Sequence, residues 1–419
     1  MEQKLFTKDF TFLIVGQTVS MLGTAILKFT ISLYILDLTD SATMFGLITA
    51  ISYIPPIFLS VFGGILADRK NKRNLMILLD LSYSVIAIGI SLVIANFQSL
   101  GCINILLVLI SVISSFETPV VQSSIPLIQP KNKLVKANAV VNQVNMLAGL
   151  IGPLAAGVLY GFLGAPKAVL IIFSCGICFF TAAAIESLLI IPFQKPKAQG
   201  KVWDTIKHDI TEAFCFIGKD HPHIMKTIYL NTVFVFLIQP LITVGAPYII
   251  NVNLGLNSIW NGTSQMLMGG AGIIGGIIAG LIPEKFTIKK LNLLFVAIGA
   301  ALFPLSFAVL LNAAPKTVYF ILNVSYITIL ILASIAGVFL MSAIQKEVPT
   351  NMLGRVMSLY STMVSCALPL GMALYGIVFD CFSSSLYLIL LITALMIMAV
   401  GFGGKKIYLE FDNKTEKLI

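Results

Sequence analysis

The residues best placed to do chemistry in this 419-residue chain are a few ionisable side chains stranded inside long apolar runs. Glu117 is one, with Pro119 just beyond it. At 1.5 Å per helical residue it lies roughly 22 Å from the outer end of its run. A carboxyl group at that depth could carry a proton, bind a cation or serve as a structural partner near the inner surface. Asp80, about 9 Å into the third run, could likewise take a proton, or could reach back to the basic loop at residues 69–73. These two are the candidates for proton coupling. Glu186 lies near the inner end of the sixth run, where it can snorkel. Lys28, roughly 12 Å from the outer end of the first, either snorkels or lines a cavity. Gln17, Asn142, Gln143, Asn145, Asn231 and Gln239 are uncharged polar residues at membrane depth and candidates to line a substrate cavity.

Other chemistries find little support. There is no phosphate loop and no nucleophile with a nearby base. His208, His221 and His223 all fall in the central loop, which leaves no histidine relay within the membrane. Cys175 and Cys178 form a CxxC inside an apolar run with no second ligand pair, so they read as buried thiols. No metal, no cofactor and no enzymatic reaction is expected.

The elements that must position these groups follow from composition. The chain is 58% hydrophobic and 11% charged, against about 25% charged residues in a soluble domain. Apolar runs recur that are long enough to cross a hydrocarbon core as helices. Twelve fit: 10–36, 42–66, 75–96, 102–127, 137–163, 167–191, 224–250, 257–282, 291–312, 317–341, 356–380 and 384–404. Of the 27 cations, only Lys167 and Lys316 fall in loops on one side and Lys28 within a span; the rest lie on the other. Positive residues stay inside, so both termini are expected to be cytoplasmic in a multi-pass protein of the cell membrane. The net charge of +9 is then an orientation signal that needs no nucleic acid. Glu2 and Asp9 among the first lysines, and the length of the first run, argue against a cleavable signal.

One long polar segment divides the spans six and six. The expected domains are a six-helix bundle at 1–191, a cytoplasmic linker at 192–223, a second six-helix bundle at 224–404 and a cytoplasmic tail at 405–419. Ile206, Ile210, Ala213, Phe214 and Ile217 recur at helical spacing within the linker, which makes it an amphipathic surface helix or a solvated linker with some helicity. The halves also repeat. A shift of 219 residues places Pro130 on Pro349, Asn132 on Asn351, Leu134 on Leu353, Lys136 on Arg355, Gly152 on Gly371 and Gly157 on Gly376. Parallel six-helix repeats put a substrate site between the halves.

Two motifs carry a resemblance. Gly64, Leu66, Ala67, Asp68, Arg69, Lys72 and Arg73 follow the pattern Gly-x-Leu-Ala-Asp-Arg-x-Gly-Arg-Arg, with Asn71 in place of a glycine. Asparagine tolerates left-handed geometry best after glycine, so a tight turn is expected there. This loop resembles the signature of the major facilitator superfamily. In that family it latches the inner face against the start of the eleventh helix, here Gly354-Arg355. Ala148 through Gly157, with Gly152, Pro153 and Gly157, resembles the superfamily's antiporter motif. Small residues there let helices approach closely, and Pro153 bends the helix. Gly272, Gly276 and Gly280 in the eighth span are read as packing alone, and Pro55-Pro56 as a bend in a gating helix.

Gly16-Gln17-x-x-Ser20-x-x-Gly23, Pro119 through Pro126 with Ala137-Asn138, and Val348-Pro349 leading to Gly354-Arg355-Val356 resemble the macrolide-efflux and siderophore-export branch. The fourth span lacks the arginine that many proton antiporters carry. The resemblance implies an all-α transporter with two pseudo-symmetric six-helix bundles, acting as a monomer in the lipid bilayer. It would export amphiphilic, macrolide-like or drug-like compounds in exchange for protons or another coupling ion. Export of an endogenous siderophore or lipid-like metabolite is the alternative, and a non-transporting membrane sensor is the reading from another class.

Overall fold

The computed structural model describes residues 5–97, 99–130, 133–192, 217–218, 221–282 and 290–415. Among the described residues twelve helices are long and apolar enough to cross a membrane, and no strand occurs. We number them α1 (Lys8–Thr39), α2 (Ala42–Arg69), α3 (Lys72–Asn96), α4 (Leu100–Ile128), α5 (Leu134–Leu163), α6 (Ala168–Glu186), α7 (Pro222–Asn253), α8 (Ser258–Leu281), α9 (Leu291–Leu310), α10 (Pro315–Glu347), α11 (Thr350–Cys381) and α12 (Leu386–Thr415). Large apolar side chains such as Phe58, Val85, Ile105, Phe180 and Leu370 stand exposed along them, which a lipid surround tolerates and water does not. The linker's helical spacing at Ile206–Phe214 lies outside the described residues.

Local signals set the ends. Thr7, Asn71 and Ser99 cap α1, α3 and α4, each accepting a hydrogen bond from a backbone N–H three residues on, as short polar side chains at N-caps do. Asn71 therefore does not make the left-handed turn expected of it: its φ is −65°, and its side chain serves as a cap instead. Prolines 222 and 315 stand in the first turns of α7 and α10, where no amide hydrogen is missed. Two spans are less regular than their hydropathy suggests. α7 passes through π-helical turns at Leu241–Gly245 and Ile249–Asn253. α9 breaks at Ala301 and Leu302 between Leu291–Ala300 and Phe303–Leu310. α11 begins at Thr350, a turn ahead of Gly354-Arg355.

The chain forms two compact units. The first holds the described residues of 1–40, 48–198 and 257–266; the second holds those of 41–47, 199–256 and 267–419. In the first, α5 is set against α1 at Gly152, where an added Cβ would stand 2.3 Å from Ala25 Cβ. Farther along α5, a Cβ on Gly157 would meet Ser258 O at 2.7 Å and Gly262 Cα at 2.8 Å. The second unit repeats the pattern. A Cβ on Gly371 would meet Pro240 Cγ at 2.5 Å, and one on Gly376 would meet Ala42 O at 2.6 Å. Both glycine pairs linked by the 219-residue offset are thus points of close helix approach, as small residues at membrane interfaces permit. In α8 the tight glycines are Gly262 and Gly275. Gly276 and Gly280, expected to pack, have no described neighbour within 4 Å of an added Cβ, and Gly272 has only Ser334 Oγ at 3.9 Å.

Within the second unit, Asp380 near the end of α11 caps the first turn of α2. It accepts hydrogen bonds from Ser41 Oγ at 2.5 Å, Ala42 N at 2.8 Å and Thr43 N at 2.9 Å. An anion there meets both the free donors and the positive end of the helix. Asp380→Ala is expected to destabilise the protein by about 1–2 kcal/mol, seen as a lower unfolding midpoint in detergent; an unchanged midpoint would remove this cap from the account.

A buried carboxyl layer as the candidate functional site

Among its described residues the first unit gathers apolar side chains in two clusters. One gathers Phe10, Leu13, Leu75, Met76, Val120, Val121 and Leu189. The other gathers Leu27, Ile31, Tyr83, Ala87, Ile110, Leu107, Cys175 and Phe179. In each of α1, α3, α4 and α6 the polar residues fall between the two in sequence: Gln17 and Ser20, Asp80, Glu117, and Glu186. The result is a polar layer across four helices between greasy blocks.

Each member is held by a neighbour. Ser20 Oγ donates to Asp80 Oδ1 at 2.7 Å, and Gln17 Nε2 donates to Glu186 Oε1 at 3.1 Å. Tyr83 OH donates to Glu117 Oε2 at 3.0 Å while its ring stacks on Phe179 with centroids 5.1 Å apart. Asp80 and Glu186 are thus held by side chains from one turn of α1, which brings the two acids to face each other in the layer. Asp80 is 3% exposed and Glu186 0%. Asp80 Oδ2, Glu186 Oε2 and Glu117 Oε1 are buried without a hydrogen-bond partner among the described residues. An oxygen left so usually destabilises a fold by about 1–3 kcal/mol, and three of them in one layer make this layer the candidate site.

The α1 motif explains the local packing. A Cβ on Gly16 would stand 2.8 Å from Glu186 Cγ, and one on Gly23 3.2 Å from Phe179 Cε1. Gly16 thus makes room for Glu186, Gln17 and Ser20 hold the two acids, and Gly23 admits the ring that backs Tyr83. On α3 and α6, Ser84 Oγ donates to Gly176 O at 2.8 Å, and Arg73 Nη2 donates to Ser187 O just past Glu186.

Two expectations are corrected here. Asp80 does not turn to the basic loop; Ser20 and Glu186 face it instead. Glu186 does not snorkel, because the gap at Gly16 and the amide of Gln17 draw it inward. Glu117 stands where depth placed it, and Tyr83 is the partner that sequence reasoning missed. The remaining candidates divide. Lys28 is exposed on α1. Asn142, Gln143 and Asn145 are exposed on α5. In the second unit Asn231 Nδ2 donates to Tyr360 OH at 3.0 Å, and Gln239 is half-buried before Pro240. Gly64, Asp68 and Arg69 lie in α2 and Gly354 in α11, but their side-chain surroundings are outside the described part. Lys72 is half-buried at the start of α3, and Arg355 Nη1 approaches Met352 Sδ at 3.6 Å. His223, expected in the loop, is buried at the start of α7 because Pro222 begins the helix before it.

The family model of the Major Facilitator Superfamily matches residues 13–372. The chain belongs to that superfamily. Among superfamily relatives, macrolide efflux protein A of Streptococcus pyogenes is 24% identical over 381 residues, covering 87% of this chain and 88% of the relative. The staphyloferrin A transporter of Staphylococcus aureus (strain NCTC 8325 / PS 47) is 25% identical over 194 residues, 43% of this chain and 44% of that one. The same fold appears in a bacterial homologue of the human lysosomal transporter Spinster, solved inward-facing and unoccupied. Its TM-score is 0.73 at 15% identity, over 97% of this chain and 99% of that chain. The nucleoside transporter NupG gives 0.74 at 13% identity, over 96% and 99%. As a superfamily member the chain is a membrane transporter of small molecules and not an enzyme.

Proposed function

We propose that this transporter exports amphiphilic organic compounds, macrolide-like or drug-like, from the cell in exchange for protons, by alternating access and as a monomer. The buried carboxyl layer carries the reading: three acids inside membrane-spanning helices, two of them facing each other with no donor between. Two like charges about 4 Å apart repel by about 4 kcal/mol at an effective dielectric constant of 20. One proton between Asp80 and Glu186 relieves that repulsion and supplies a donor for an unpartnered oxygen. Gain and loss of this proton is a switch that export can be tied to. The likeness to macrolide efflux protein A supports the substrate class. Both termini and the basic loop are cytoplasmic in this reading.

The test is flux in proteoliposomes of the purified protein. A labelled macrolide is expected to accumulate when the lumen is acid, and a protonophore should abolish the accumulation. Accumulation indifferent to the protonophore would exclude proton exchange. The likeness to the staphyloferrin A transporter favours a second reading, export of an endogenous siderophore. A deletion strain that retains the compound but keeps its antibiotic tolerance would support it.

A further inference from the structure

The second unit holds a side-chain cluster that the carboxyl layer does not involve. Pro222 begins α7, and the residues on either side of it are His221 and His223. Glu347 is the last residue of α10. One ligating atom from each of the three lies within 4.8 Å of the others. His223 Nε2 and Glu347 Oε1 are in hydrogen-bond contact, both side chains almost wholly enclosed. The rings of His221 and His223 meet edge to face, centroids 5.7 Å apart. Glu347 Oε2 is buried and has no hydrogen-bond partner among the described residues.

A plain histidine–glutamate pair accounts for one ring nitrogen and one oxygen. It leaves the second carboxylate oxygen enclosed and unsatisfied among the described residues, with a second imidazole within 4.8 Å. A cation among the three gives that oxygen a partner. We propose that His221, His223 and Glu347 bind a divalent transition-metal ion of the zinc class. Two imidazole nitrogens and a carboxylate oxygen suit zinc, cobalt or nickel, whereas magnesium and calcium take oxygen donors. Bonds of about 2.0–2.2 Å set tetrahedral ligands roughly 3.4 Å apart. The widest separation therefore closes by roughly 1.4 Å, within reach of side-chain rotation, and the fourth position is left to water. The carbonyl end of α10 adds favourable potential beside Glu347, while the amide end of α7 opposes it, so the helix dipoles roughly cancel. The bound ion would clamp the start of α7 to the end of α10. This site stands independently of proton exchange and of the substrate exported.

The experiment uses the full chain in detergent, with any affinity tag removed and metal stripped by a chelator. Titration with cobalt(II) is expected to give one equivalent per chain, with the visible absorption band of a four- or five-coordinate site, displaced by zinc. His221→Ala and His223→Ala should each weaken binding at least tenfold. Zinc should raise the unfolding midpoint of the wild type and not that of His223→Ala. Half-buried His221 lies outside the His223–Glu347 contact, so its variant probes the site without breaking that pair. Absence of both the band and the thermal shift in the wild type overturns the proposal. So does a band of equal strength in both histidine variants.

Discussion

Glu186→Gln is expected to abolish the response of export to a pH difference, lowering the driven rate on the order of a hundredfold or more, while substrate counterflow without a gradient persists. Glutamine keeps the shape of the side chain and fits the space beside Gly16. Its amide nitrogen can donate permanently toward Asp80, which satisfies an oxygen that otherwise lacks a donor, but it has no proton to release. Asp80→Asn should behave the same way from the opposite side. The two variants should also unfold at the same temperature as the wild type or a higher one, since each removes a buried like-charge contact. A structural role predicts the reverse: intact coupling and a lower midpoint. Driven transport at wild-type rates in both variants would move the coupling role to Glu117, where Glu117→Gln leaves Tyr83 OH its acceptor and removes only the exchangeable proton.

The largest effect on folding is expected at Gly157. Valine there would place its Cβ 2.7 Å from the carbonyl oxygen of Ser258 and 2.8 Å from Gly262 Cα. Overpacking in a core usually destabilises by about 1–3 kcal/mol because side chains give way. Here the obstacle is backbone on both sides, with a Gly262 Cβ position itself 2.7 Å from Pro153 O, so the helices must part. Gly157→Val should leave little protein in the monodisperse peak of a detergent gel-filtration profile. Gly276→Val, with nothing described within 4 Å, should elute like the wild type. Equal profiles would mean that the crossing at Gly157 is looser than described.

The spans were legible because apolar length is a strong signal that needs no knowledge of neighbours, and the superfamily was legible in the 64–73 loop. The carboxyl layer was only half legible. Depth singled out Glu117 and Asp80. Which way Glu186 turns depends on what α1 places opposite, and the polar Ser174 and Thr181 of α6 stand exposed, so they do not mark the face that Glu186 uses. The clue lay in α1, where Gly16, Gln17, Ser20 and Gly23 share one helix face, but spacing alone does not name their partners. The same limit explains α8: four-residue spacing picked out Gly272, Gly276 and Gly280, while contact selected Gly262 and Gly275. Asn71 was misjudged because substitution for a glycine suggests backbone freedom, whereas its side-chain oxygen is what that position uses. His223 fell in the loop because the apolar run begins only at residue 224, whereas Pro222 starts the helix ahead of that run.

The partition into compact units has a bearing on where such a chain can be cut. Residues 41–47 complete the unit built mainly from the later half of the sequence, and 257–266 complete the one built mainly from the earlier half. A polypeptide ending at the central loop would leave Asp380 without its three donors in one fragment and Gly157 without its neighbour in the other.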